Sequence, residues 1–354
     1  MDTTLDNSIE LAMIRSALFM FYLVAGARYF IFNEAKERSK YVLGVLLLLW
    51  SFELLKDAVS QFYPWFTITS IRQSYLLFDL LAIPLCTFYV METICKHWIN
   101  RRRFVLHLLP YILWLLVFVL FRSNVVYYMA LCYPILYVAC VAPSIFIHLQ
   151  HYERSIADNY SYKENLDIKW IKTVIILFLG NLLFCVYLYS RPSEVLFCIY
   201  YAYCLLIWCY IIYHNEKLQS PELLTQNEQP DDEEEKMSSY TFSSSSVEKL
   251  RVCFEDEKLF LNPRLNIRDV AGRVGTNRTY LSRYLNNEMN VSFYDYVNGY
   301  RLLYAEKRLV QTDDKIVDIA QDCGFNSFAT FLRSFKKQIG CTPKEYRRNS
   351  HAER

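Results

Sequence analysis

The chain has 354 residues, 54% of them hydrophobic and 17% aromatic, and a formal net charge of +2; that length allows two domains. Its eight glycines form no phosphate-cradling loop, which argues against a nucleotide site. Its eleven cysteines form no CxxC pair, which argues against a disulfide framework and a zinc site and leaves them as small buried hydrophobes.

The near-neutral total conceals three regions. Residues 1–213 hold 17 Lys+Arg against 14 Asp+Glu, residues 214–246 hold 2 against 8, and residues 247–354 hold 19 against 14. A basic C-terminal part therefore follows an acidic spacer, and its sign points to a polyanionic partner. The N-terminal "MDTTLDNSIE" lacks the basic start of a signal peptide, so the first apolar stretch is expected to be retained.

Seven predominantly apolar stretches follow, near 9–32, 41–62, 72–95, 104–121, 125–149, 168–190 and 195–213. About 20 helical residues cross a bilayer core. Runs such as "YVLGVLLLLW" offer no polar face for a water-soluble bundle, so membrane helices are expected. The connection at 121–125 is very tight. Pro84, Pro110, Pro134 and Pro143 are candidate kinks.

The connections 33–40, 96–103 and 150–167 hold nine Lys/Arg, whereas the alternate ones hold Arg122 and Arg191 with Arg72 at a boundary. The positive-inside rule then puts the N-terminus outside and residue 214 in the cytoplasm. The outward connections, about 63–71, 122–124 and 191–194, are too short to build an external binding domain.

Glu53, Lys56 and Asp57 share one face of the second span at i, i+3 and i+4. With Arg15 and Asp79 they fall in the outer half of the bundle, at most about 14 Å from that surface. Intramembrane charges face one another or a wet cavity. The group is thus either a set of structural ion pairs, with Arg15 snorkelling, or a signal site. His148 and His151 have the spacing to share a metal but lack a third ligand nearby, so no metal is expected. No HExxH or GxSxG occurs, and neither catalytic residues nor a cofactor are expected.

Residues 214–246 are acidic, Ser-rich and too poor in large aliphatics to fold alone; as a coil they average roughly 30 Å end to end. From Val247 short helices are expected. "NIRDVAGRVG" buries Val270, Ala271 and Val274 and stops at Gly275. Asn277 caps "RTYLSRYLNNE", with Tyr280, Leu281, Tyr284 and Leu285 inward and Arg278, Thr279, Ser282, Arg283 and Asn286 outward. This is a helix-turn-helix pattern. "IVDIAQDCGF" repeats "IRDVAGRVGT" at an offset of 49, matching Ala320 to Ala271 and Gly324 to Gly275. Ser327 caps the second outer helix, with Phe331 and Phe335 inward. The long helix 293–311 fixes the separation of the two units, which is about 34 Å along DNA for adjacent major grooves.

"YLSRYL", "SFYDYVNGYRLLYAEKRL", "IVDIAQDCGFNSFATFLRSFKK" and "GCTPKEYRR" resemble the AraC/XylS family of bacterial transcription regulators over residues 247–348. The resemblance implies a seven-helix domain whose two helix-turn-helix units read consecutive major grooves. It places base contacts on Arg278, Thr279, Ser282 and Arg283, then on Phe328, Ala329, Leu332 and Arg333. The second set departs from the family's polar character, since Phe328, Ala329 and Leu332 offer base edges no hydrogen bond, only contact with thymine methyls. The first unit is therefore expected to read sequence, and the second to hold phosphates through Arg333, Lys336 and Lys337. Asn290 stands where the family has Gly, and Asn tolerates the left-handed conformation.

The expected architecture is all-α: a seven-helix transmembrane bundle over 1–213, a flexible acidic linker over 214–246, and a small domain with two helix-turn-helix motifs over 247–354. The expected function is that of a membrane-anchored, sequence-specific DNA-binding transcription regulator in a bacterial inner membrane, not an enzyme. Its expected partners are promoter DNA, RNA polymerase, the lipid bilayer and an unknown signal molecule or membrane partner. Homodimerisation through the bundle is an analogy with soluble relatives of the tail. The rival readings are a receptor or transporter-like protein whose tail docks cytoplasmic partners, and a factor released by proteolysis in the linker.

Overall fold

The computed structural model describes residues 2–33, 36–60, 68–163, 166, 168–190, 193–217 and 242–352. Most of the expected linker (218–241), most of one outward connection (61–67) and Arg191 lie outside the described residues. The chain is all-α. It divides into two compact units, Met1–Gln150 with Ile168–Leu218, and His151–Asp167 with Gln219–Arg354. The segment 151–167 thus groups with the C-terminal residues.

In the first unit, α1 (Asp2–Ile31) and α2 (Arg38–Ser60) meet at facing glycines. A Cβ on Gly26 would stand 3.1 Å from the Gly44 carbonyl oxygen; one on Gly44 would stand 3.1 Å from the Gly26 oxygen and 2.7 Å from the Phe30 ring. Small residues at such a seam let two apolar helices approach closely. The Ser51 hydroxyl donates across it to the Phe19 carbonyl at 3.0 Å.

The expected third span is two helices, α3 (Thr69–Asp79) and α4 (Ala82–Ile94). Pro84 supplies the reason: it has no N–H for the Leu80 carbonyl, and its ring would clash with that carbonyl in a continuous helix. The Ile83 N–H serves Leu80 instead, at 3.1 Å. The other three prolines leave their helices unbroken, Pro110 in α5 (Arg101–Phe121) and Pro134 and Pro143 in α6 (Asn124–Asn159).

The tight connection at 121–125 does separate two helices, because Arg122 takes a left-handed conformation (φ 48°) at the end of α5. The two pack as a hairpin through ring contacts, Phe118 on Tyr127 and Tyr111 on Tyr133 and Tyr137. α6 runs for 36 residues, ten beyond the expected span end at 149. At 1.5 Å per residue it exceeds the bilayer core of about 30 Å. α7 (Lys169–Ser190) and α8 (Glu194–Lys217) complete the unit.

Five stretches among the described residues are long and apolar enough to cross a membrane: Leu11–Ile31, Thr69–Ile94, Arg101–Phe121, Asn124–Asn159 and Val195–Lys217. α2 carries Glu53, Lys56 and Asp57 within its apolar run. All eleven cysteines are free, and Cys132, Cys140 and Cys209 are exposed rather than buried as the sequence predicted. Apolar helix surfaces leave them uncovered by protein.

In the second unit, seven α-helices follow His151–Asp167 among the described residues: α9 (Ser244–Glu255), α10 (Ile267–Val274), α11 (Arg278–Arg283), α12 (Phe293–Gln311), α13 (Ile316–Asp322), α14 (Phe328–Ile339) and α15 (Pro343–Ala352). The starts are set by side-chain caps. Ser243 accepts from the Ser246 N–H, and Asn266 and Asp269 form a reciprocal capping box on α10. At α15 the Glu345 carboxylate accepts from the Thr342 N–H and hydroxyl, both at 2.8 Å; those bonds hold it below the usual carboxylate range.

Two apolar cores form. One gathers Leu250, Phe254, Val270, Leu281 and Phe293; the other gathers Leu309, Ile319, Cys323, Phe331 and Phe335. α12 belongs to both, giving Val297 to the first and Leu302, Ala305 and Leu309 to the second. One rigid helix thus ties the two units together, as its length predicted. Burial pushes the Cys323 thiol up to about 12, which makes it a packing group rather than a reactive one.

Candidate nucleic-acid interface

Each helix-turn-helix is built on the same local device. α10 ends at Gly275 (φ 79°), and the Thr276 N–H returns to the Ala271 carbonyl at 2.9 Å. α13 ends before Gly324 (φ 85°), and the Phe325 N–H returns to the Ala320 carbonyl at 3.1 Å. A left-handed residue here satisfies the last carbonyls of the helix and turns the chain, which favours glycine. At Gly324 there is also no room, since a Cβ would lie 2.7 Å from the carbonyl oxygens of Phe260 and Leu261. Ala271 and Ala320 are buried at the matching contact.

The caps of the outer helices stand where the sequence placed them. Asn277 accepts from the Tyr280 N–H at 2.9 Å, and Ser327 from the Thr330 N–H at 3.4 Å. α11 keeps α-geometry for six residues and then loosens into one π-helical turn, Tyr284–Glu288. Asn290 takes a left-handed conformation (φ 52°) after it, as expected of an Asn in a Gly position. Leu281 and Leu285 are buried; Tyr280 and Tyr284 are only half-buried, because their rings reach past the core edge, where Tyr284 stacks on Phe242.

The two outer faces differ. On α14, Phe328, Ala329, Arg333, Lys336 and Lys337 are exposed. Leu332 is half-buried and packs against the second core. The Arg333 Nε donates to the Ala329 carbonyl at 3.3 Å, which lays the guanidinium along the helix. On α11 only Arg283 is exposed, while Arg278, Thr279 and Ser282, and Asn286 in the π-helical turn after it, are half-buried.

Sequence reasoning passed over Arg301. It is 1% exposed and donates to the carbonyls of Phe260 and Asn262, both at 2.7 Å, and to the Ser161 carbonyl and hydroxyl at 3.0 and 3.2 Å. Its guanidinium lies 5.7 Å from the Phe325 ring centroid. The signal was present: Arg301 stands on the buried stripe of α12 with Asn298, Leu302 and Ala305, where a charge requires partners.

Within the first unit, Arg15, Glu53, Lys56, Asp57 and Asp79 are brought near one another. Lys56 pairs with Asp79, and lies 3.6 Å from Asp57. Arg15 is buried, not snorkelling: its Nε donates to the Tyr201 hydroxyl at 2.9 Å and Nη1 to the Asp57 carbonyl at 3.3 Å. Glu53 is buried, with Oε1 outside any hydrogen bond. His148 Nδ1 lies 2.7 Å from the Ser144 carbonyl oxygen. No His/Cys/Asp/Glu group among the described residues has metal-binding geometry.

Residues 270–349 match the helix-turn-helix domain family. Over 88 residues the chain is 38% identical to an uncharacterised HTH-type transcriptional regulator, YtdP, of Bacillus subtilis; the match covers 25% of this chain and 11% of that protein. Over 90 residues it is 34% identical to an uncharacterised HTH-type transcriptional regulator of Staphylococcus aureus, covering 25% of this chain and 12% of the other. The chain thus spans little more than a tenth of the length of these curated relatives.

Among solved structures, the C-terminal domain of AraT, a response regulator from Geobacillus stearothermophilus, is 27% identical, covers 31% of this chain and 88% of its own, and has a TM-score of 0.28. The C-terminal domain of the response regulator yesN from Fusobacterium nucleatum is 26% identical, covers 29% and 99%, and scores 0.27. Scores of that size say nothing about the arrangement of the chain as a whole. The C-terminal residues form an AraC-type helix-turn-helix domain.

Proposed function

We propose that this chain is a membrane-anchored transcription regulator that binds promoter DNA sequence-specifically through its C-terminal domain. The observation that carries this reading is the repeated turn: two helix-turn-helix units with the same left-handed glycine, the same back-bond to a buried alanine, and a common α12. In this reading α11 supplies base readout through Arg278, Thr279, Ser282 and Arg283. α14 holds phosphates through Arg333, Lys336 and Lys337, with Phe328 and Ala329 against thymine methyls.

Membrane anchoring is supported by the surface of the first unit. Leu106, Leu120, Leu183 and Leu206 are each about 70% exposed or more, which suits lipid and not water. Seven spans are proposed from the seven apolar stretches of the sequence, five of which are long and apolar enough among the described residues. The basic connections give an outside N-terminus and a cytoplasmic tail in a bacterial inner membrane. Arg15, Glu53, Lys56, Asp57 and Asp79 are the proposed place where a signal is met, since buried intramembrane charge is costly to keep. Pairing through the bundle and contact with RNA polymerase belong to the same proposal.

The test uses full chain in nanodiscs and a duplex that it enriches from a randomised double-stranded library, over a salt series. Arg278→Ala should cost about 1–3 kcal/mol and relax preference at one base pair, whereas Lys336→Ala should weaken all duplexes alike and lower the salt slope by about 1. Equal losses on enriched and scrambled duplex from both changes would refute the division between the two helices.

A further inference from the structure

The segment His151–Asp167 belongs to the same compact unit as the DNA-binding domain, and the polar groups of Ser161 are satisfied by that domain. Tyr160 pairs with Asn266 in an antiparallel bridge. The Ser161 N–H and hydroxyl both donate to the Leu265 carbonyl, at 3.1 and 2.7 Å. Ser161 in turn accepts twice from Arg301, at its carbonyl and its hydroxyl oxygen. The Lys163 ammonium stands 4.3 Å from the Tyr294 ring centroid. Ile156, Tyr160, Ser161 and Leu166 are all buried. Four hydrogen bonds at one residue, with burial on either side of it, describe a docked segment and not a passing loop.

Upstream of the bridge, the segment reaches the first recognition helix. The Asp158 carboxylate comes close enough to the Asn286 and Arg278 side chains to interact electrostatically with them. Those are two of the four half-buried side chains on the outer face of α11 and the turn after it, whereas Phe328, Ala329 and Arg333 of the matching α14 face are exposed and Leu332 alone of that set is half-buried. A DNA backbone approaching Arg278 would meet the Asp158 carboxylate nearby, and like charges repel.

We propose that residues 151–167 and DNA compete for one surface, the outer face of α11, so that the docked chain presents only α14 to DNA and reads sequence only when the segment leaves. The occupant of the surface is this chain's own segment. The proposal rests on the DNA-binding reading above. A domain whose competent state is only partly populated binds with its affinity multiplied by that fraction, so docking sets the apparent affinity.

Paired cysteines at the bridge test it. Residues opposed in antiparallel pairing have Cα atoms about 4.5–5.5 Å apart, inside disulfide range. Full chain carrying Tyr160→Cys with Asn266→Cys, in nanodiscs, should cross-link on oxidation where each single variant does not. The oxidised protein should then bind the enriched duplex at least about tenfold more weakly than the same protein after reduction. Failure to cross-link, or equal affinity before and after reduction, would overturn the proposal.

If full chain enriches no duplex at all, the DNA-binding reading itself fails. Asp158→Asn supplies a second arm. It should raise affinity for the enriched duplex by a larger factor than for a scrambled one, because specific readout through α11 is what docking withholds. An equal gain on both would show only that a negative charge near DNA had been removed, and would count against competition.

Discussion

Replacing Arg301 by Met tests whether both helix-turn-helix units hang on one buried guanidinium. The change keeps an unbranched stem as far as the Nε position and removes the guanidinium with all its donors. The carbonyls of Phe260, Asn262 and Ser161 then each lose a hydrogen bond, and a buried acceptor left alone costs about 1–3 kcal/mol. Part of that is returned, because a buried charge no longer needs desolvating. The net loss should be about 2–3 kcal/mol in the C-terminal unit.

Hydrogen exchange on full chain reads this locally. Since 1.4 kcal/mol is a factor of ten, protection in α10, α12 and α13 should fall roughly 30- to 150-fold, with the helices of the first unit unchanged. Arg301→Lys should lie between the two, because an ammonium keeps the charge but not the planar fork. Unchanged protection in Arg301→Met, or full recovery by lysine, would refute the reasoning.

Two alanine substitutions should differ in sign. Gly324→Ala puts a Cβ 2.7 Å from two carbonyl oxygens at φ 85°, and the left-handed strain alone costs about 1–2 kcal/mol. Gly272→Ala meets nothing within 4 Å inside α10 and should gain about 0.5–1 kcal/mol. Exchange protection of the second unit checks both, and effects of equal sign would contradict the turn geometry. In the bundle, Lys56→Met strands Asp79 and should lower the melting temperature in detergent. The swap Lys56→Asp with Asp79→Lys should restore much of it if the pair is structural. A swap no better than the single change would mean that the two residues do not act as a pair.

The tail was legible because its architecture is written in local chemistry. Gly275 and Gly324 answer to left-handed turns, Asn277 and Ser327 to helix starts, and the apolar stripes to two cores, each set by residues within a turn or two. The break in the third span was half legible, since Pro84 marks it but only the structure shows the chain turning at Leu80–Leu81 while three other prolines leave their helices intact. The docking of 151–167 was not legible. Ser161 and Leu265 are 104 positions apart, and nothing near Ser161 says that its partners lie in the tail. The uneven exposure of α11 and α14 escaped a reading in which both faces were simply basic and outward.

The central claim is that a membrane-embedded chain reads DNA. Cross-linking intact cells, recovering the chain from the membrane pellet and sequencing the DNA bound to it tests that most directly. The account predicts a small set of promoter fragments sharing one sequence, lost in a chain carrying Arg278→Ala and Arg283→Ala together. DNA recovered at random from the genome, or only from a soluble fraction, would contradict it.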